Sequence, residues 1–261
     1  MTTKAIGRGW QGKQVSSFGN FRRQRKPSNP AIIQTDLQLY YDFGNGLSYD
    51  NSSTTIKSVG ATSFDGTLTN GPVYSTTYNG ICTLDGVNDN ITRAASLNAG
   101  QNFTVFGWVR MTSAAAVRNC LIANAQNLTN DNGWYFSVGQ TGGTGRFFLS
   151  IGIDNSYVIS SNNVVVANQW QLLGATVSNG GSTIKLYVNG VLQTNSVSST
   201  SSRTISYTQP AFYIGQRDPT NIANNLDYFN GVIGQLGIYT KTFSDSEMLQ
   251  NFQATRARYG V

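Results

Sequence analysis

Apolar and polar positions alternate most clearly between Trp170 and Gln193. Ile184, Leu186 and Val188 alternate with Lys185, Tyr187 and Asn189, a period of two that sets one row of side chains against a core and the other toward solvent. Asn189-Gly190 follows. Two residues that accept positive φ predict a type I′ turn and a strand returning through 191–194. Upstream, Leu172, Gly174 and Thr176 and the interleaved Leu173, Ala175 and Val177 are small or apolar on both faces, which predicts a strand covered on both sides. The run at 103–109 is of the same kind, with Phe103, Val105 and Val109 on one face and Phe106 and Trp108 on the other.

Shorter strands are predicted at 37–43, 81–86, 134–138, 146–153, 157–159 and 212–215, separated by Asn, Gly and Asp turns. In the last long strand, 229–239, Val232, Leu236 and Ile238 share one face and Ile233 and Tyr239 the other. The Ser-rich 196–202 and the polar 216–227 read as surface loops. One helix is convincing. Ser244-Asp-Ser-Glu247 has capping-box spacing, Met248, Leu249 and Phe252 follow on one side, and Arg256 and Arg258 suit a helix C-terminus. The pattern is that of an all-β chain with one short C-terminal helix. Composition agrees, because 11% charged residues is too few for helical-bundle surfaces, while 28 glycines suit short strands and tight turns. At 261 residues with no break in composition after residue 31, residues 31–261 read as one domain.

Charge divides the chain differently. The formal +6 arises in residues 1–30, which hold seven of the eighteen basic residues and none of the twelve acids, so the remainder is nearly neutral. This stretch lacks an apolar period and reads as an extended basic arm. Trp10, Phe18 and Phe21 are out of place in a purely solvated tail. They and Arg8, Lys13, Arg22, Arg23, Arg25 and Lys26 are candidates for docking on an acidic, pocketed protein surface. A mobile basic tail is the plainer alternative, and phosphate contact the least favoured of the three.

No apolar run reaches the eighteen or so residues of a membrane span, and the N-terminus lacks a secretory signal's apolar segment, so neither a membrane nor that export route is expected. Cys82 and Cys120 sit among apolar neighbours, which favours two buried thiols over a disulfide.

The chain has no histidine, which removes His-based triads, general bases and zinc sites. Glycosidase chemistry needs two carboxyl groups about 5 Å apart or somewhat wider, and the sole glutamate, Glu247, is explained as a helix cap. No aspartate pair stands convincingly on one strand, so a non-enzymatic protein is expected. The glycine-rich 142–145 is a hairpin tip rather than a phosphate cradle, because a strand follows where a helix is required. A sugar site would need an aromatic platform. Trp134, Tyr157 and Tyr228 are the candidates, each with the alternative of partly buried core.

Leu84-Asp-Gly-Val-Asn-Asp89, the strands at 103 and 170, Leu186-Tyr-Val-Asn-Gly190, Phe212-Tyr-Ile-Gly215, the strand from Gly231 and the Phe243-Ser-Asp-Ser-Glu247 helix, in that order, resemble the laminin G-like, concanavalin A-like lectin jelly roll over about residues 36–261. The resemblance implies a two-sheet antiparallel jelly-roll sandwich, and its glycosidase members' Glu-x-Asp-x-x-Glu strand is missing here. It also implies calcium at aspartates, with Asp42, Asp85 and Asp89 as candidate ligands. The alternative is that Asp85 and Asp89 shape a turn, and Asn88-Asp89-Asn90 departs from the family's usual Asp-Asp-aromatic. The ending 251–260 is similar to jelly-roll domains in structural proteins of tailed bacteriophages. That similarity implies a virion-surface protein, a capsid decoration or other head or tail component. Its arm would hold it to neighbouring capsid or tail subunits, with a homotrimer favoured. The other function class is a carbohydrate-binding module for host or environmental glycans.

Overall fold

The protein is described by a computed structural model covering Met1 and residues 30–261 apart from 62, 115–117, 125–132, 141–142, 153–155, 209–210 and 218–226. The first part of the chain forms β1 (Leu37–Asp42), β2 (Thr55–Ile56), β3 (Gly66–Thr69), β4 (Val73–Ser75), β5 (Ile81–Asp85) and β6 (Asn90–Arg93). Then come β7 (Phe103–Met111), β8 (Asn119–Asn124), β9 (Trp134–Gln140), β10 (Gly143–Ile151) and β11 (Ser156–Ser160). The hairpin region supplies β12 (Trp170–Ser178), β13 (Thr183–Val188), β14 (Val191–Leu192) and β15 (Asn195–Ser199). The chain closes with β16 (Phe212–Ile214), β17 (Asn230–Tyr239) and the helix α1 (Asp245–Tyr259).

These strands make two antiparallel sheets. The first runs β14-β13-β12-β7-β17-β5-β4, and the second β15-β11-β10-β9-β8-β16-β6-β3-β2. One edge of β17 is shared, its start pairing with β5 and its end with β1, while β7 occupies the other edge. A core including Phe103, Val109, Phe136, Leu149, Leu186 and Ile238 fills the space between the sheets. A second cluster, with Phe106, Trp108, Tyr239, Met248 and Phe252, lies between the first sheet and α1. The jelly-roll sandwich with one C-terminal helix is therefore the observed fold.

Period-two alternation holds through β7, whose two faces divide between these clusters as its pattern predicts. Three expectations fail, each for a tertiary reason. In β17 a bulge between Ile233 and Gln235 inserts Gly234, so Val232 faces α1 while Ile233, Leu236 and Ile238 share the inter-sheet core. Tyr187 of β13 faces away from that core yet is fully buried, because α1 covers it and Asp245 accepts its hydroxyl at 2.7 Å. The Ser-rich segment expected as a loop supplies β15, an exposed edge strand on β11. On α1 the buried positions are Met248, Asn251, Phe252 and Tyr259, and Leu249 is exposed.

The capping box forms as its spacing predicts. Ser244 Oγ accepts from the Glu247 amide at 3.3 Å, and Glu247 Oε2 accepts from the Ser244 amide at 2.9 Å. Buried Asn251 anchors the helix, accepting from the Ile33 amide and donating to the Tyr239 hydroxyl, both at 2.9 Å. Cys82 and Cys120 are free and buried, and burial pushes both thiols up, Cys120 to about 12.

Candidate functional site

The helix anchor fixes where α1 ends, and with it a cleft of about 400 Å³ at one end of the first sheet. Three aromatic rings meet there. Trp170 opens β12, Tyr259 closes α1, and Tyr78 comes from the 3-10 turn Thr77–Asn79 between β4 and β5. Ring centroids lie 4.6 Å apart for Trp170 and Tyr259, 5.4 Å for Tyr78 and Trp170, and 6.4 Å for Tyr78 and Tyr259. Trp170 and Tyr259 form the floor, only 6% and 3% exposed, whereas Tyr78 stands up at 37%. Beneath them Trp108 stacks on Tyr259 at 4.3 Å and donates its indole N–H to Thr255 Oγ1 at 2.7 Å. The bulge glycine Gly234 makes room for the Tyr259 phenol, since a Cβ there would stand 2.2 Å from its hydroxyl. Burial raises the Tyr259 pKa, which keeps the hydroxyl protonated.

The rim is made of amides. Asn168 and Gln169 are exposed, and their side chains have no hydrogen-bond partner among the described residues. Asn189, in the hairpin turn, accepts from the Leu172 amide with its Oδ1 at 2.9 Å, leaving its NH₂ available. Gln171 is committed to local structure, bridging Val166 N and Val164 O. The Trp170 indole N–H is buried without a partner among the described residues. Among the described residues no Asp, Glu, Lys or Arg side chain lines the cleft. Apolar ring faces beside uncharged donors and acceptors match a sugar ring, whose C–H face packs on aromatics and whose hydroxyls pair with amides.

The residues proposed from sequence stand elsewhere. Trp134 is fully buried and stacks on Phe103 at 4.9 Å within the inter-sheet core, so it offers no surface to a sugar. Tyr157 lies on the opposite, outer face of the second sheet against a cluster of Tyr135, Phe148 and Ile159. Tyr228, before β17, is partly buried, with its hydroxyl pKa raised by that burial. Trp134 and Tyr157 therefore cannot share a platform, because they stand on opposite faces of the sheet.

Of the three aspartates, Asp42 stands apart from the other two. Asp42 pairs with Gln235 and Asp85 with Asn230 along the same edge of β17, five positions or roughly 17 Å apart. Asp42 is paired with Arg258 at 2.5 Å. Asp85 Oδ1 accepts from Val87 N, which holds its carboxyl below the usual range, and from Asn88 N. Asp89 Oδ2 accepts from Asp85 N, with its carboxyl lifted by burial. These two shape the turn, the alternative reading of the pair. Among the described residues no three His, Cys, Asp or Glu side chains are grouped to hold a metal. Arg8, Trp10, Lys13, Phe18, Phe21, Arg22, Arg23, Arg25 and Lys26 lie outside the described residues.

The comparisons with known proteins come from sequence and from shape. A laminin G-type family model, described as the concanavalin A-like lectin/glucanases superfamily, matches residues 85–248. No curated protein matches the sequence. Among solved structures, domain 4 of AbnA, a GH43 extracellular arabinanase from Geobacillus stearothermophilus in complex with arabinotriose, is similar with a TM-score of 0.59 and 17% identity, covering 84% of this chain and 99% of that one. The botulinum neurotoxin serotype D binding domain is similar with a TM-score of 0.60 and 15% identity, over 85% of this chain and 52% of that one. The type G receptor-binding domain gives a TM-score of 0.55 and 16% identity, over 84% and 51%. This chain thus spans about half the length of those toxin domains, and at such identities the likeness is one of fold.

Proposed function

This chain belongs to the concanavalin A-like lectin/glucanases superfamily, and from that premise we propose a non-catalytic module that binds an uncharged saccharide in the Tyr78–Trp170–Tyr259 cleft. The observation that carries the reading is an aromatic floor and wall edged by amides with unused hydrogen-bonding capacity and, among the described residues, by no Asp, Glu, Lys or Arg side chain. The cleft volume, near the low end for ligand sites, suits one or two sugar units. The absence of histidine and the commitment of the sole glutamate to the α1 cap and Lys241 support a binding role over a hydrolytic one. One neighbour in fold, the arabinanase domain, is described with an uncharged sugar, arabinotriose.

The test is a glycan array probed with the full chain, with calcium and with chelator. Uncharged glycans are expected to bind equally in both, since no Asp or Glu side chain lines the cleft among the described residues. Binding confined to sialylated glycans, or lost with calcium, overturns the assignment.

A second reading is favoured by the charge division, seven bases and no acid in residues 1–30. In it the module is displayed on a virion, on head or tail, secured to capsid or tail proteins by its basic arm and assembled as a homotrimer. Removing residues 1–30 is expected to leave the domain folded, with an unchanged melting temperature, but unable to join particles. Full occupancy without the arm overturns the anchoring role. The two readings are compatible, because a displayed protein can also grip sugars.

A further inference from the structure

Tyr78 and Asn79 both have left-handed backbones, φ 51° and 57°. Consecutive non-glycine residues in that region are uncommon, and for a bulky tyrosine the conformation is strained. Something must hold it. The guanidinium of Arg258, in the last turn of α1, donates from Nε to the Tyr78 carbonyl at 2.6 Å and from Nη2 to the carbonyls of Asn79, at 3.5 Å, and Gly80. Its Nη1 is bound to Asp42 at 2.5 Å. Asp42 in turn accepts from the Gly44 amide at 2.8 Å and from Gln235 Nε2 at 2.9 Å, which ties the assembly to β17. Arg258 also lies over the Tyr259 ring, 5.1 Å from its centroid. One guanidinium therefore grips the turn that carries the wall of the cleft and rests on the ring of its floor. Gly44 permits the approach, since a Cβ there would stand 2.5 Å from Nη2.

We propose that the Asp42–Arg258 pair is a clamp that sets Tyr78 in its strained, upright position, so that Arg258 determines saccharide affinity without touching the saccharide. This rests on the binding reading above. Arg258 is a positioning residue. A planar fork that reaches three carbonyls and a carboxylate at once has no substitute in lysine, which carries the same charge on a single nitrogen. Preorganisation is the physical gain, because a ligand meets a wall already built and does not have to order it.

Arg258→Lys, which keeps a cation beside Asp42, is the test, with two readouts on the full chain. The first needs no ligand. Chymotrypsin should cut after Tyr78 at least tenfold faster in Arg258→Lys than in the native protein, with the site identified by fragment mass. The second is binding to an array of neutral mono-, di- and trisaccharides. Affinity should fall at least fivefold in Arg258→Lys, while in a Tyr78→Gly background the same change should have no further effect. A merely structural role would lower the melting temperature in both backgrounds and would not spare the second. Unchanged cleavage at Tyr78 overturns the clamp, and faster cleavage with unchanged affinity overturns its role in recognition. Faster cleavage in a protein whose native form binds none of these glycans overturns the saccharide reading alone and leaves the clamp standing.

Discussion

Trp134→Ala is expected to lower stability by about 3–5 kcal/mol, the range for removing a fully buried large aromatic. The melting temperature should fall by on the order of 10 °C in a chain of this size. The ring has no exposed surface and lies on Phe103 at 4.9 Å with the planes 29° apart, between sheets whose neighbouring strands cannot close over the vacancy. At temperatures where the variant is folded, its saccharide affinity should equal that of the native protein. Thermal unfolding and array binding measured together check this. A variant with native stability and no glycan binding would move the sugar site to Trp134 and away from the Tyr78 cleft.

Tyr78→Gly is expected to have the opposite profile, losing at least tenfold in saccharide affinity, about 1.4 kcal/mol, while the melting temperature stays within about 4 °C of native. Removing the ring forfeits its contacts with Trp170 at 5.4 Å and Tyr259 at 6.4 Å, each worth roughly 0.5–1.5 kcal/mol at most. Glycine adopts the left-handed backbone freely, so relief of about 1–2 kcal/mol of strain offsets most of that loss. A residue whose removal leaves stability nearly unchanged yet weakens binding at least tenfold is kept for its surface. Isothermal titration against the best neutral glycan, beside a melting curve, checks both halves. Undiminished affinity in this variant removes Tyr78 from the site.

Much of the architecture is written in local pattern. β7 is apolar at nearly every position, and a strand of that kind has to be sandwiched, as it is between the inter-sheet core and α1. Asn189-Gly190 turns with positive φ at both residues, 52° and 78°, because those two side chains permit it. Ser244 and Glu247 cap α1 as their spacing predicts. Strand identity, the hairpin and the helix start are consequences of a few neighbouring residues, which is why they can be read along the chain.

The site could not be read the same way. Trp170, Tyr259 and Tyr78 are far apart in sequence, and each alone passes for a strand start, a helix end and a turn residue. Only the Tyr78-Asn-Gly80 string hints at something unusual, a large aromatic where a turn favours small residues. Trp134 misled for the complementary reason. A tryptophan at a strand end looks available until the second sheet is laid over it.

The sequence by itself determined an antiparallel all-β sandwich with a single capped helix, the absence of histidine chemistry, and the concentration of positive charge in the first thirty residues, because each depends on residue type and short-range spacing alone. Only the tertiary structure decided which face each ring occupies, that Asp42 pairs with Arg258, and that α1 ends over Gly234 to complete a cleft. Those outcomes depend on a one-residue bulge in β17 and on contacts spanning more than a hundred positions, and no local pattern encodes either.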